Sequence, residues 1–87
     1  MRVVQTTQFK KDIKKQRKRG SDLQKLKTVI DLLIASEPLP AGNRDHALTG
    51  KWIGWRDCHL EPDWILIYKV TVDEILFGRT GNHSDLF

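Results

Sequence analysis

Three strand-like runs joined by three-residue turns place the tightest constraint on this chain: "WIGWRDCHL" (52–60), "WILIYKV" (64–70) and "EILFGRT" (74–80). Each is rich in aromatic and β-branched residues, and "EPD" (61–63) and "TVD" (71–73) are short enough to close hairpins. The second half of the chain is therefore expected to form an antiparallel meander.

The first half supplies what must cover that sheet. "RVVQT" (2–6) reads as a short first strand. "TQFKKDIKKQRKR" (7–19) reads as a helix with Thr7 at its N-cap, Gly20 as its stop, and a narrow apolar stripe of Phe9 and Ile13. "SDLQ" (21–24) has the capping-box form, Ser21 at the N-cap and Gln24 at N3. Leu23, Leu26, Ile30 and Leu33 follow at helical spacing, widened by Val29 and Ile34, and the helix is expected to end near Glu37, ahead of Pro38 and Pro40. Residues 38–51, "PLPAGNRDHALTGK", read as a loop. The expected fold is α+β, with two N-terminal helices packed on a small, mainly antiparallel sheet of about four strands, as one domain over residues 1–87.

An apolar content of 39% and a charged content of 30% fit a globular rather than a disordered chain. The longest apolar run, "WILIY" (64–68), is far short of a membrane span, so no membrane partner is expected. The start "MRVVQTTQFKKD" carries no secretory apolar region, and the cytoplasm is the expected location. Cys58 is the sole cysteine, which rules out an internal disulfide. On a strand its neighbour His59 points to the opposite face, so Cys58 reads as packing rather than as a nucleophile.

Charge is uneven along the chain. Residues 1–20 hold eight Lys or Arg against Asp12 alone, whereas the remaining 67 residues are net acidic. Such a segment is either a solvated helix face or a docking surface for a polyanion or an acidic protein.

All three histidines fall at strand ends or in loops: His46 before the meander, His59 at the end of its first strand and His83 after its last. Asp63 lies across the proposed hairpin from His59, which puts an imidazole and a carboxylate at the same end of the sheet, and Arg79 lies near the end of the last strand. Taken singly, each histidine reads as a half-exposed residue with no task. Converging, they would supply the base and acid of a proton transfer near neutral pH, with Arg79 holding a phosphate. RNA cleavage at a phosphodiester suits such a set, because the 2′-hydroxyl is then the nucleophile. A metal site is the rival, ranked lower because the histidines form no H-x-H or H-x₃-H pair.

"DHALTGKWIGWRDCHLEPDWILIYKV", preceded by "KLKTVIDLLIASEPLP" and followed by "RTGNHSDLF", resembles the YafQ branch of the RelE superfamily of bacterial toxins. The likeness runs from about residue 7 to the last residue. It implies a ribosome-dependent endoribonuclease that cuts mRNA by the 2′-hydroxyl route, with no cofactor and no metal. It also implies a cognate acidic antitoxin, through which alone operator DNA would be bound. Carried onto this sequence, it makes His46, His59, Asp63 and His83 the active-site set, Arg79 the phosphate or transition-state residue and Phe87 an aromatic that positions the substrate by stacking on a base. His83 is expected to be the general acid and His46 or Asp63 the general base, with His59 positioning substrate or tuning a neighbour. Lys10, Lys11, Lys14 and Lys15 are expected to meet ribosomal RNA phosphates or the antitoxin.

Trp52, Trp55, Trp64 and Tyr68 are expected to be packing residues. Arg56 and Asp57 read as a structural charge arrangement or an antitoxin contact. Two other functions stay open, a ParE-type gyrase poison and a non-catalytic module binding nucleic acid or antitoxin. The histidine set speaks against the first.

Overall fold

The computed structural model describes residues 2–87. The chain order is β1 (Arg2–Gln5), α1 (Thr7–Lys18), α2 (Leu23–Ile34), β2 (His46–Ala47), β3 (Arg56–Glu61), β4 (Trp64–Val70), β5 (Glu74–Gly81) and α3 (His83–Leu86). The sheet has five strands in the order β1-β5-β4-β3-β2. β1 joins β5 in parallel, Val3 opposite Ile75, and every other pair is antiparallel. The expected α+β class is observed. The additional strand is β2, inside the segment read as a loop: two residues are too few to leave a periodic signal.

Several boundaries move for local chemical reasons. Thr6, not Thr7, caps α1, its hydroxyl accepting the Phe9 N–H at 3.0 Å. Asp22, not Ser21, caps α2 by accepting from Gln24 N, while the Ser21 hydroxyl donates to Gln16 Oε1. α2 stops at Ile34 rather than near Glu37 because Ser36 takes a left-handed φ of 57°. The N–H groups of Ser36 and Glu37 then fold back onto the Leu33 and Leu32 carbonyls. The first long strand begins at Arg56, not Trp52: Gly50–Trp52 form a 3-10 turn and Gly54 has φ of 91°.

Alternation along β4 sorts the sheet into two faces. Trp64, Leu66 and Tyr68 join Phe9, Leu26, Val29, Cys58, Ile75 and Phe77 in the main core beneath the helices. Ile65 and Ile67 point the other way, to a smaller cluster with Leu86, Leu48, Trp52 and Trp55. The tryptophans and Tyr68 are packing residues, as expected. Gly78 lets Trp55 lie across β5, since a Cβ there would stand 2.6 Å from the indole. No helix among the described residues is long and apolar enough to cross a membrane.

Candidate active site

The smaller cluster is the floor on which the polar residues meet. On β3, Asp57 and His59 alternate onto this face, opposite Ile67 and Ile65 of β4. Cys58 between them turns into the main core, where burial pushes its thiol up to about 12, so it is no nucleophile at neutral pH.

His46 enters from the sheet edge, directly opposite Asp57. Its segment is pinned on both sides. Asp45 Oδ1 accepts from the Tyr68 hydroxyl at 2.6 Å and from Arg56 Nε at 3.2 Å, and Asn43 Nδ2 donates to the His59 carbonyl at 2.7 Å. Arg56 thus has a structural partner in Asp45.

His83 opens α3, and Phe87 follows its last residue as the C-cap. This single turn is fastened by a capping box: Asn82 Oδ1 accepts from Asp85 N, and Asp85 Oδ2 accepts from Asn82 N. Asp85 also accepts from Arg19 at 2.7 Å and Lys15 at 3.1 Å, tying the turn to the basic end of α1. The Arg19 guanidinium is the main reason that the Asp85 carboxyl lies well below its ordinary range.

The result is a row of rings. His46 and His59 have centroids 6.4 Å apart, His59 and His83 5.7 Å, and His83 and Phe87 6.3 Å. Asp63 sits in the β3–β4 turn and pairs with His83 rather than with His59 across its own hairpin. Its Oδ1 accepts from the His83 backbone N–H at 3.0 Å and lies 2.6 Å from His83 Nδ1. Those two contacts, the backbone one first, hold the Asp63 carboxyl below its ordinary range. With Nδ1 engaged, Nε2 is the His83 ring nitrogen without a hydrogen-bond partner among the described residues. Neither ring nitrogen of His59 is hydrogen-bonded among the described residues. His46 is engaged on both sides, Nδ1 with the Arg44 carbonyl at 2.7 Å and Nε2 at 3.0 Å from Asp57 Oδ1.

Arg79 lies on β5 opposite Ile67, and its guanidinium is paired with a carboxylate of α1. Its Nε and Nη2 donate to the buried Asp12, at 2.8 and 3.3 Å, and Asp12 also accepts from Gln8 and from the Thr80 N–H. Nη1 is left without a partner in that pair. Of the α1 lysines, Lys15 is spent on Asp85, whereas Lys10, Lys11 and Lys14 are exposed with no ion pair among the described residues. A hollow of about 260 Å³ opens beside His59, lined by Asn43, Arg44, Leu60, Glu61 and Pro62 among others. The described residues contain no group of three or more His, Cys, Asp or Glu side chains placed to hold one metal ion.

Three carboxylates escaped the sequence reading as members of this region. Asp57 is two residues before His59, the spacing that puts both on one face of a strand. Asp85 is three residues after Asn82, the capping-box spacing. Asp12 has only Gln8 at helical spacing, and its other partners lie 67 and 68 positions away.

The family model "Bacterial toxin of type II toxin-antitoxin system, YafQ" matches residues 1–87. The mRNA interferase toxin YafQ of Escherichia coli strain K12 is 53% identical over 81 residues, covering 92% of this chain and 88% of that protein. The crystal structure of YafQ from E. coli strain BL21(DE3) aligns with a TM-score of 0.97 and 48% identity, over 100% of this chain and 99% of that one. The toxin of the E. coli DinJ–YafQ toxin–antitoxin complex aligns with a TM-score of 0.91 and 50% identity, over 98% and 94%.

Proposed function

The chain belongs to the YafQ family of bacterial toxins of type II toxin–antitoxin systems, and from this we propose that it is an mRNA endoribonuclease neutralised by a cognate antitoxin. It cuts on the ribosome, in the cytoplasm, by acid–base chemistry that uses the RNA's own 2′-hydroxyl. One observation carries the chemistry: Asp63 holds His83 by Nδ1, and an unengaged His59 stands 5.7 Å away.

In this reading the 2′-oxygen attacks phosphorus while His59 takes its proton. His59 replaces His46 and Asp63 as the base because it has ring nitrogens to spare, whereas His46 has both engaged and Asp63 is spent on His83. The P–O5′ bond breaks, and His83 Nε2 gives its proton to the departing oxygen. The products are a 2′,3′-cyclic phosphate and a 5′-hydroxyl, with no covalent enzyme intermediate. Arg79 meets the crowded phosphate through the N–H groups that Asp12 leaves free. Phe87, 55% exposed at the end of the ring row, stacks on a base, and the hollow beside His59 receives a neighbouring nucleotide.

The site is open and shallow, so the ribosome supplies the orientation that the protein's own surface does not. Lys10, Lys11 and Lys14 meet phosphates of ribosomal RNA. A cognate acidic antitoxin covers the same basic helix, and operator DNA is bound only through it. Mapping mRNA ends in a translating extract tests the reading, with His83→Ala alongside. Cyclic or 3′-phosphate ends with 5′-hydroxyls, lost in the variant, are expected. Ends carrying 5′-phosphate would point to a metal nuclease, and intact mRNA to a gyrase poison or a binding module.

A further inference from the structure

Arg44 is a cation at the edge of the ring row with no counter-charge. It is exposed, it lines the hollow beside His59, and it forms no ion pair among the described residues. The carboxylate next to it in the chain, Asp45, is taken by the Tyr68 hydroxyl and by Arg56. The carboxylate in the same hollow, Glu61, is paired with Lys25 at 2.8 Å. The hollow therefore carries one unbalanced positive charge, next to a histidine whose ring is unengaged.

The backbone beneath that charge is constrained. Arg44 sits in the left-handed region, φ 48° and ψ 47°, which a residue with a side chain rarely adopts. Three contacts keep it there. Its N–H donates to the Ala41 carbonyl at 3.1 Å, its carbonyl lies 2.7 Å from His46 Nδ1, and Asn43 before it donates to the His59 carbonyl at 2.7 Å. The turn that sets two rings of the row thus sets the arginine as well. A guanidinium serving only to be solvated would gain nothing from so costly a conformation.

We propose that Arg44 is a substrate-binding residue whose guanidinium grips an mRNA phosphate next to the one being cleaved. This rests on the reading of the ring row as the cleavage site. A strand whose 2′-oxygen lies at His59 continues past the hollow of about 260 Å³, and the anion it brings there is its phosphodiester. The planar fork of an arginine suits two oxygens of such a group, and no carboxylate of the protein competes for it. Arg79 would meet the phosphate under attack, and Arg44 its neighbour, so that the strand is held on both sides of His59.

Arg44→Ala keeps the Cβ and the backbone that reaches His46, and removes the charge. Single-turnover cleavage of ribosome-bound mRNA is expected to fall about tenfold, the loss of one charge-assisted contact. The plot of log rate against log salt should become shallower by about one. Affinity for ribosomes without mRNA should not change, and Arg44→Lys, which keeps the charge without the fork, should lose less than Arg44→Ala. Gly42→Leu adds a side chain to the wall of the hollow, where a Cβ meets nothing within 4 Å, and should slow cleavage in a folded protein. Unchanged rate and salt slope in a folded Arg44→Ala protein overturn the proposal, as does full cleavage by Gly42→Leu. An equal loss of affinity for mRNA-free ribosomes overturns it too, by giving Arg44 to ribosomal RNA. A shifted base preference at the cut with the salt slope intact would make Arg44 a reader of bases instead, and also refutes it. Should Arg44→Ala fail to fold, Arg44→Lys and Gly42→Leu decide. If the unaltered protein cuts no mRNA, the functional reading fails, and binding to mRNA-loaded against mRNA-free ribosomes still judges Arg44, a salt slope unaltered by Arg44→Ala refuting the contact.

Discussion

His83 Nδ1 lies 2.6 Å from Asp63 Oδ1, and the same oxygen accepts the His83 backbone N–H at 3.0 Å. One carboxylate therefore fixes the position of the ring and occupies Nδ1, so Nε2 is the nitrogen left for the reaction. Asp63→Ala should leave His83 present but free to rotate. Cleavage is expected to fall on the order of 10²-fold, the low end for loss of acid–base function, with ribosome binding retained. A loss of binding as large as the loss of cleavage would make Asp63 a docking residue.

Asp85 joins α3 to α1, and its carboxyl is held well below the ordinary range, first by Arg19 and then by Asn82 and Lys15. A depressed carboxylate contributes stability above its unfolded value, about 3.9, and loses it as pH falls toward the folded value. Asp85→Asn should therefore flatten the acid limb of the stability curve below about pH 4 and change it least where both states are protonated. Urea unfolding at stepped pH checks this. An unaltered acid limb would mean that the ion pairs with Arg19 and Lys15 are too solvated to count.

Most of the architecture could be read from local pattern: the meander, the amphipathic second helix and the turns at 61–63 and 71–73 announce themselves within a few residues. The remainder depended on competition between neighbours. Ser21 and Asp22 both suit an N-cap, and Asp22 takes the role because Ser21 bonds Gln16. For the site, the residue types were legible and their partners were not. Asp63 and His83 are 20 positions apart, and Arg79 and Asp12 are 67 apart. Only the folded sheet brings each pair together.

Burial of Asp57 should cost the fold stability at neutral pH. Desolvation, the largest influence, raises its carboxyl above the ordinary range, while His46, His59 and His83 partly oppose the rise. A raised carboxylate destabilises the fold increasingly as pH climbs from the unfolded value through the folded one, because the native state then gives up its proton later than the unfolded chain. Asp57→Asn removes that cost. Above pH 6 the variant is expected to be at least as stable as the unaltered protein, with the stability gap closing below about pH 4. A variant less stable at neutral pH would show that the ion pair with His46 outweighs the desolvation.

The Asp12–Arg79 pair separates scaffold from chemistry. Asp12 is 5% exposed and accepts from Gln8, from Arg79 twice and from the Thr80 N–H at once, so Asp12→Ala leaves donors of three residues unpaired. Arg79 keeps a quarter of its side chain in solvent, which moderates the loss to about 2–4 kcal/mol, a fall in Tm on the order of 10–20 °C. Arg79→Lys preserves a positive charge against Asp12 but not the planar fork, so stability should change by about 1 kcal/mol or less. If the free Nη1 of Arg79 meets the phosphate, that variant still loses cleavage at least tenfold, because an ammonium turned to Asp12 has no second face to offer. Thermal unfolding and end-mapping on the same two variants decide between the roles. Full cleavage by a stable Arg79→Lys protein would assign Arg79 to the scaffold and leave the histidine row to stabilise the phosphate alone.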